Sequence, residues 1–79
     1  MKVLHLLRDP GDPKAAAVIG AEVAQGIDVG LLLLGPGAAP PIQAPMYRLD
    51  GARDADGATP VDWAGAVELI FRAGSVVAW

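Results

Sequence analysis

Apolar positions along the chain fall into four short runs and two periodic stretches. From Lys2 to Leu7 the run is nearly continuous, with Val3, Leu4, Leu6 and Leu7 interrupted only by His5, which suits a first strand covered on both faces. Arg8-Asp9-Pro10-Gly11-Asp12-Pro13 then reads as a loop whose last two residues open a helix. Asp12 suits the N-cap and Pro13 the first helical position, where a missing N–H costs nothing. The helix is expected from Pro13 to about Gln25, rich in alanine, with Val18, Ile19 and Val23 as its bulkier apolar groups and Gly26 as its stop. Asp28 to Leu34 is a second strand, so the chain begins strand, helix, strand, which implies parallel pairing.

Gly35 to Pro41 resists any helix and predicts an extended crossing that leaves one sheet face without a helical cover. Met46 to Leu49 is a short third strand, and Asp50 to Thr59 reads as a polar surface loop. A second helix opens at Pro60 or with Asp62 as cap. Its apolar face is Trp63, Ala66, Val67, Ile70 and Phe71 at offsets of three, four, seven and eight, with Arg72 in the last turn and Gly74 as the stop. Core packing is the expected role of Trp63 and Phe71. Ser75 to Trp79 forms the final strand. The expected architecture is α/β, one domain spanning residues 1–79, with an open, mostly parallel four-stranded sheet ordered 2-1-3-4 as in flavodoxin-like folds and two main helices.

Composition narrows the chemistry. Hydrophobic residues make 53% of the 79-residue chain and charged residues 19%, a balance that folds rather than stays disordered. There is no cysteine, which removes thiolate metal ligands and persulfide chemistry from this chain. A net charge of −3 and six scattered basic residues argue against a nucleic-acid groove. The apolar run at Ile27 to Gly35 is far shorter than the ~20 residues of a membrane span. The opening segment lacks the features of a signal peptide, so the expected location is cytoplasmic.

Ligands of open parallel sheets gather at the carboxyl ends of the strands. Here that directs attention to Arg8, Asp9, Asp12 and Lys14, where free N–H groups at a helix start beside Lys14 could hold a small anion or a nucleotide phosphate. The competing expectation is that Asp12 caps those donors itself. No Walker pattern occurs, and the spacing of Gly35 and Gly37 fails the dinucleotide pattern at Pro40. His5 is the only histidine, with no serine–histidine–aspartate arrangement around it, and a packed strand residue is the expected reading. Asp54-Ala55-Asp56-Gly57 resembles part of a calcium loop, but Ala52 and Trp63 fall where its end ligands belong. No catalytic residue, cofactor or metal is therefore assigned. Trp79, at the carboxyl end of the last strand, is expected to lie over an edge or against another subunit.

The stretch Pro60-Val61-Asp62-Trp63-Ala64-Gly65-Ala66-Val67-Glu68-Leu69, together with Ser75-Val76-Val77-Ala78-Trp79, resembles the end of TusB/DsrH family chains. Leu4-His5-Leu6-Leu7-Arg8-Asp9-Pro10 is similar to that family's first strand and loop, Leu31 to Leu34 to its second strand, and Pro45-Met46-Tyr47-Arg48-Leu49 to its third. The proline-rich segment after the second strand, where the family usually has a helix, and a trimmed loop before the last helix are departures. The resemblance implies a DsrE-like, non-catalytic subunit of a cytoplasmic sulfur-relay assembly, serving tRNA thiolation or sulfur oxidation. In such assemblies the acceptor cysteine of the tRNA relay belongs to a TusD subunit, so a cysteine-free chain serves as scaffold. Its implied partners are copies of itself or DsrE/DsrF-like (TusD/TusC-like) subunits, without direct contact to nucleic acid or membrane. Apolar surface left by the missing helix would be covered by oligomerisation, since each ~100 Å² buried is worth about 2.5 kcal/mol. The candidate partner or ligand contacts are Arg8, Asp9, Asp12, Lys14, Trp63, Phe71 and Trp79.

Overall fold

The computed structural model describes residues 1–49 and 57–79. In chain order these form β1 (Val3–Leu7), α1 (Pro13–Ala24), β2 (Val29–Leu33), β3 (Met46–Leu49), β4 (Thr59–Val61), α2 (Trp63–Arg72) and β5 (Ser75–Ala78). The five strands make one all-parallel sheet in the order β4-β3-β2-β1-β5. The expected four strands in the order 2-1-3-4 are thus corrected on two counts.

One correction is β4 itself. Thr59 and Pro60 belong to a strand registered on Tyr47 and Arg48, where the sequence suggested the end of a loop and a helix start. Residues 50–56, which carry Asp50, Asp54 and Asp56 of the expected acidic loop, lie outside the described residues.

The other correction is direction, and it follows from which face is already filled. Alternate residues of β1 and β2 (Leu7, Val29, Leu31, Leu33) pack with Ala15 and Ile19 of α1 on one face. The segment after β2 stays on that same face, where Ala39, Ile42 and Ala44 pack against the cluster. The extended crossing therefore replaces the absent helix, and the apolar floor expected to lie bare there is covered. The next helix takes the opposite face, where Leu4 and Leu32 meet Ala66 and Leu69 of α2. A crossover of constant hand on the opposite face must step the other way across the sheet. So β5 lands on the free side of β1.

Local signals behave as the residue chemistry requires. Asp12 caps α1, Pro13 opens it, and Gln25 ends it with Gly26 in the left-handed region at φ 80°. There Gly26 N–H donates to Val23 O at 3.0 Å and Ile27 N–H to Glu22 O at 3.1 Å, the paired bonds of a Schellman stop. Asp62 caps α2 by accepting from Gly65 N–H at 2.8 Å. Gly74 does a different job from the expected left-handed stop: a Cβ there would lie 2.9 Å from Lys2 O, so glycine permits the close passage from α2 into β5.

The apolar face of α2 is also displaced from expectation. Ala66 and Leu69 are buried and Ala73 packs beside them, whereas Trp63, Val67, Ile70 and Phe71 face water. The helix has a wider apolar arc than the sheet can use. Among the described residues no helix is long and apolar enough to cross a membrane.

Candidate functional site

With β1 running to β2 on one side and β5 docked on the other, the strand order reverses between β1 and β5. The crevice beyond their carboxyl ends is where open α/β sheets place ligands. It gathers the Arg8–Lys14 loop and Trp79, two of the regions named from sequence, while Trp63 and Phe71 lie elsewhere on α2.

The loop spends its polar groups internally. Asp9 Oδ1 accepts from Gly11 N–H at 2.9 Å, and Asp12 N–H donates to Asp9 O at 3.0 Å. Asp12 Oδ1 accepts from Lys14 N–H at 2.9 Å and, at a longer 3.4 Å, from Ala15 N–H. Ala16 N–H already donates to Asp12 O. The donors that would receive a phosphate at the start of α1 are thus occupied by a carboxylate of the same chain, and its negative charge opposes a second anion.

His5 sits in β1 with 1% exposure and both ring nitrogens engaged. Nδ1 accepts the indole N–H of Trp79 at 2.9 Å, so the ring hydrogen resides on Nε2, which donates to Glu22 Oε1 at 2.7 Å. The two rings also stack, with centroids 6.1 Å apart. The imidazole has no lone pair or hydrogen left for a substrate. Trp79 is further fixed by its own N–H to Leu6 O and by Arg8 Nε, which donates to Trp79 O, both at 2.9 Å. Trp79, expected over an edge or against a partner, follows the edge strand, is half-buried and is bonded within its own chain.

Two contributors escaped the sequence reading. Glu22 follows Ile19 by three and Ala15 by seven, so its carboxylate lies on the buried stripe of α1, a signal that was legible. Arg48, read only as part of a strand, is 6% exposed and donates from Nη1 to Gly35 O at 2.9 Å and from Nη2 to Gly37 O at 2.7 Å. It pins the loop after β2 against the sheet end. Gly35 passes so close to Arg8 that a Cβ would lie 2.0 Å from the Arg8 carbonyl oxygen, and Gly37 rests on Pro10. The two strand-end loops are therefore knitted together.

What space remains is shallow. A depression of about 300 Å³ on the α2 face is lined by Leu6, Arg8, Leu34, Ala78 and Trp79, with an apolar floor and Arg8 on its rim. A larger one, about 590 Å³, lies at the other end of the sheet beside the first residues of β3 and β4, lined by residues such as Ile42, Tyr47 and Thr59. It lies at the amino ends of β3 and β4, with β2 between it and His5. Among the described residues no group of three or more His, Asp or Glu side chains converges for a metal.

The most exposed apolar groups lie on α2 instead. Trp63 is 74% and Phe71 83% accessible, with Val67 and Ile70 beside them on the same arc. The expectation that both aromatics pack in the core is overturned, because Ala66 and Leu69 already fill the seat on Leu4 and Leu32. Comparisons with protein families, with curated proteins and with solved structures return no match.

Proposed function

We propose that this chain is an interaction subunit, docking a protein partner through the α2 stripe Trp63, Val67, Ile70 and Phe71. The observation that carries this reading is the pair of large aromatic rings held in water on a well-capped helix whose adjoining side, Ala66 and Leu69, is anchored to the sheet. Together the rings offer on the order of 300 Å² of apolar surface, about 7 kcal/mol of gross stabilisation before the costs of association. Trp and Phe of this kind are the anchors that dominate protein interfaces. The full engagement of His5 by Trp79 and Glu22 supports a structural rather than catalytic role for the one histidine.

The resemblance to TusB/DsrH chains supplies the partner class: a DsrE/DsrF-like subunit of a cytoplasmic sulfur-relay assembly, in which a cysteine of the partner carries the sulfur. The test is affinity capture of the tagged chain from its native cytoplasm, beside a Trp63→Ser/Phe71→Ser variant. Recovery of cysteine-bearing DsrE-like subunits with the wild type, and their loss with a variant of unchanged melting temperature, is the expected result. Capture indifferent to both substitutions overturns the assignment to α2, and recovery of no such subunit overturns the partner class.

A further inference from the structure

The two edges of the sheet are built differently. β4 is three residues long, carries Pro60 at its centre, which offers no N–H, and leads directly into Asp62. These are the devices that keep an edge from pairing with another chain. β5, at four residues, is only slightly longer, but it lacks the proline and the acidic neighbour. Residues 73–79 contain no charged side chain and no proline, and Val76 and Val77, pointing to opposite faces, are 41% and 37% exposed.

The direction of the free backbone groups is also defined. Ser75 donates to the carbonyl of Lys2, the residue before β1, and Trp79 to Leu6 O of β1. Alternation along a parallel strand then turns the N–H and C=O of Val76 and Ala78 outward, to the open edge. Those four groups are self-complementary about a two-fold axis normal to the sheet: Val76 of one copy opposite Ala78 of the other, twice, closes four hydrogen bonds. Val77 then faces its own copy across the axis as the closely spaced, non-hydrogen-bonded pair.

We infer that β5 pairs antiparallel with β5 of a second copy of this chain, in the register Val76 to Ala78 with Val77 on the two-fold, joining two sheets into one of ten strands. The occupant is a second copy because the strand supplies both halves of the pattern: no charged side chain repels it, β-branched valines meet at the axis, and each face stays continuous across the joint. The contact is small, in the class below about 1,200 Å² that gives weak, concentration-dependent dimers. It uses a different surface from the α2 stripe and does not depend on the identity of any other partner.

Sedimentation of the chain from about 10 to about 500 μM, a range that brackets weak association, should show a monomer–dimer equilibrium. Val77→Lys and Val76→Pro should each weaken dimerisation at least about tenfold, a change of about 1.4 kcal/mol, with unchanged circular dichroism. Since the chain lacks cysteine, a Val77→Cys variant reads this contact alone: mild copper-catalysed air oxidation should yield a covalent dimer, as the ~4.5 Å Cα separation of such pairs fits a disulfide. Thr59→Cys on β4 should not. A wild type that stays monomeric throughout overturns the inference, as does a dimer that ignores Val77→Lys but dissociates in the Trp63→Ser/Phe71→Ser variant. Should Val76→Pro fail to fold, Val77→Lys and Val77→Cys decide the question. Dimerisation abolished by an added extended peptide of sequence Ser-Val-Val-Ala supports the edge assignment.

Discussion

The indole N–H of Trp79 donates to Nδ1 of His5 at 2.9 Å, joining residues 74 positions apart at the end of β5 and the middle of β1. This bond fixes which nitrogen of a buried imidazole carries the hydrogen, and Glu22 receives it from the other side. Trp79→Phe keeps the ring and removes the donor, leaving Nδ1 buried without a partner. The expected loss is about 1–3 kcal/mol in denaturant unfolding. Nitrogen NMR of the wild type should show Nδ1 bare and Nε2 bearing hydrogen; the reverse assignment contradicts the network.

Arg48 fastens the loop after β2 by two hydrogen bonds to Gly35 O and Gly37 O. Arg48→Met removes both and should destabilise by about 2 kcal/mol or more. Arg48→Lys should recover only part of this, since a point-like ammonium cannot span two carbonyls as a planar fork does. Equal stability of the two variants would contradict the bridging role.

Two glycines should respond oppositely to the same added methyl. Gly35→Ala forces a Cβ against the Arg8 carbonyl and should cost about 3 kcal/mol by overpacking. Gly20 lies inside α1, and a methyl added there would meet nothing within 4 Å, so Gly20→Ala should stabilise by about 0.5–1 kcal/mol. Thermal melts of the two variants check both signs.

Asp12 occupies the anion seat at the start of α1. Phosphate or sulfate should therefore raise the melting temperature of the wild type no more than chloride at matched ionic strength. Asp12→Ala should lose about 1 kcal/mol. Phosphate-specific stabilisation that vanishes on substituting Arg8 and Lys14 would instead establish a ligand site in that loop.

Trp63→Ser/Phe71→Ser should leave stability within about 0.5 kcal/mol of wild type, as for other surface positions. A melting temperature lowered by many degrees would return these rings to the core.

Much of the architecture was legible where local chemistry decides it. Asp12-Pro13 and Gly26 bracket α1 because cap, proline and left-handed glycine act within a few residues of one another. β4 was hidden because Thr59-Pro60-Val61 is too short for a period and its proline imitates a helix start. Sheet order was hidden for a non-local reason: the turn back across the sheet depends on Ala39, Ile42 and Ala44 having filled one face, which no periodicity records. On α2 the spacing of Trp63, Val67, Ile70 and Phe71 identified an apolar arc correctly but could not say which part of it the sheet would claim. At the candidate site, Asp12 disclosed its own capping role, whereas the partners of His5 required the fold to bring Glu22 and Trp79 to its two nitrogens.

The proline-rich crossing between β2 and β3 covers part of one sheet face without a helical ladder of its own. A helix resists opening cooperatively along its length; this strip is held by a few packed side chains, by scattered backbone bonds such as Leu31 N–H to Pro45 O, and by the grip of Arg48 at one end. It should therefore lift as a unit well before the sheet unfolds, and its amides should exchange hydrogen early while those of β1 and β2 remain protected. The domain thus has a built-in order of dissolution, with one face able to loosen while the helix opposite it still holds.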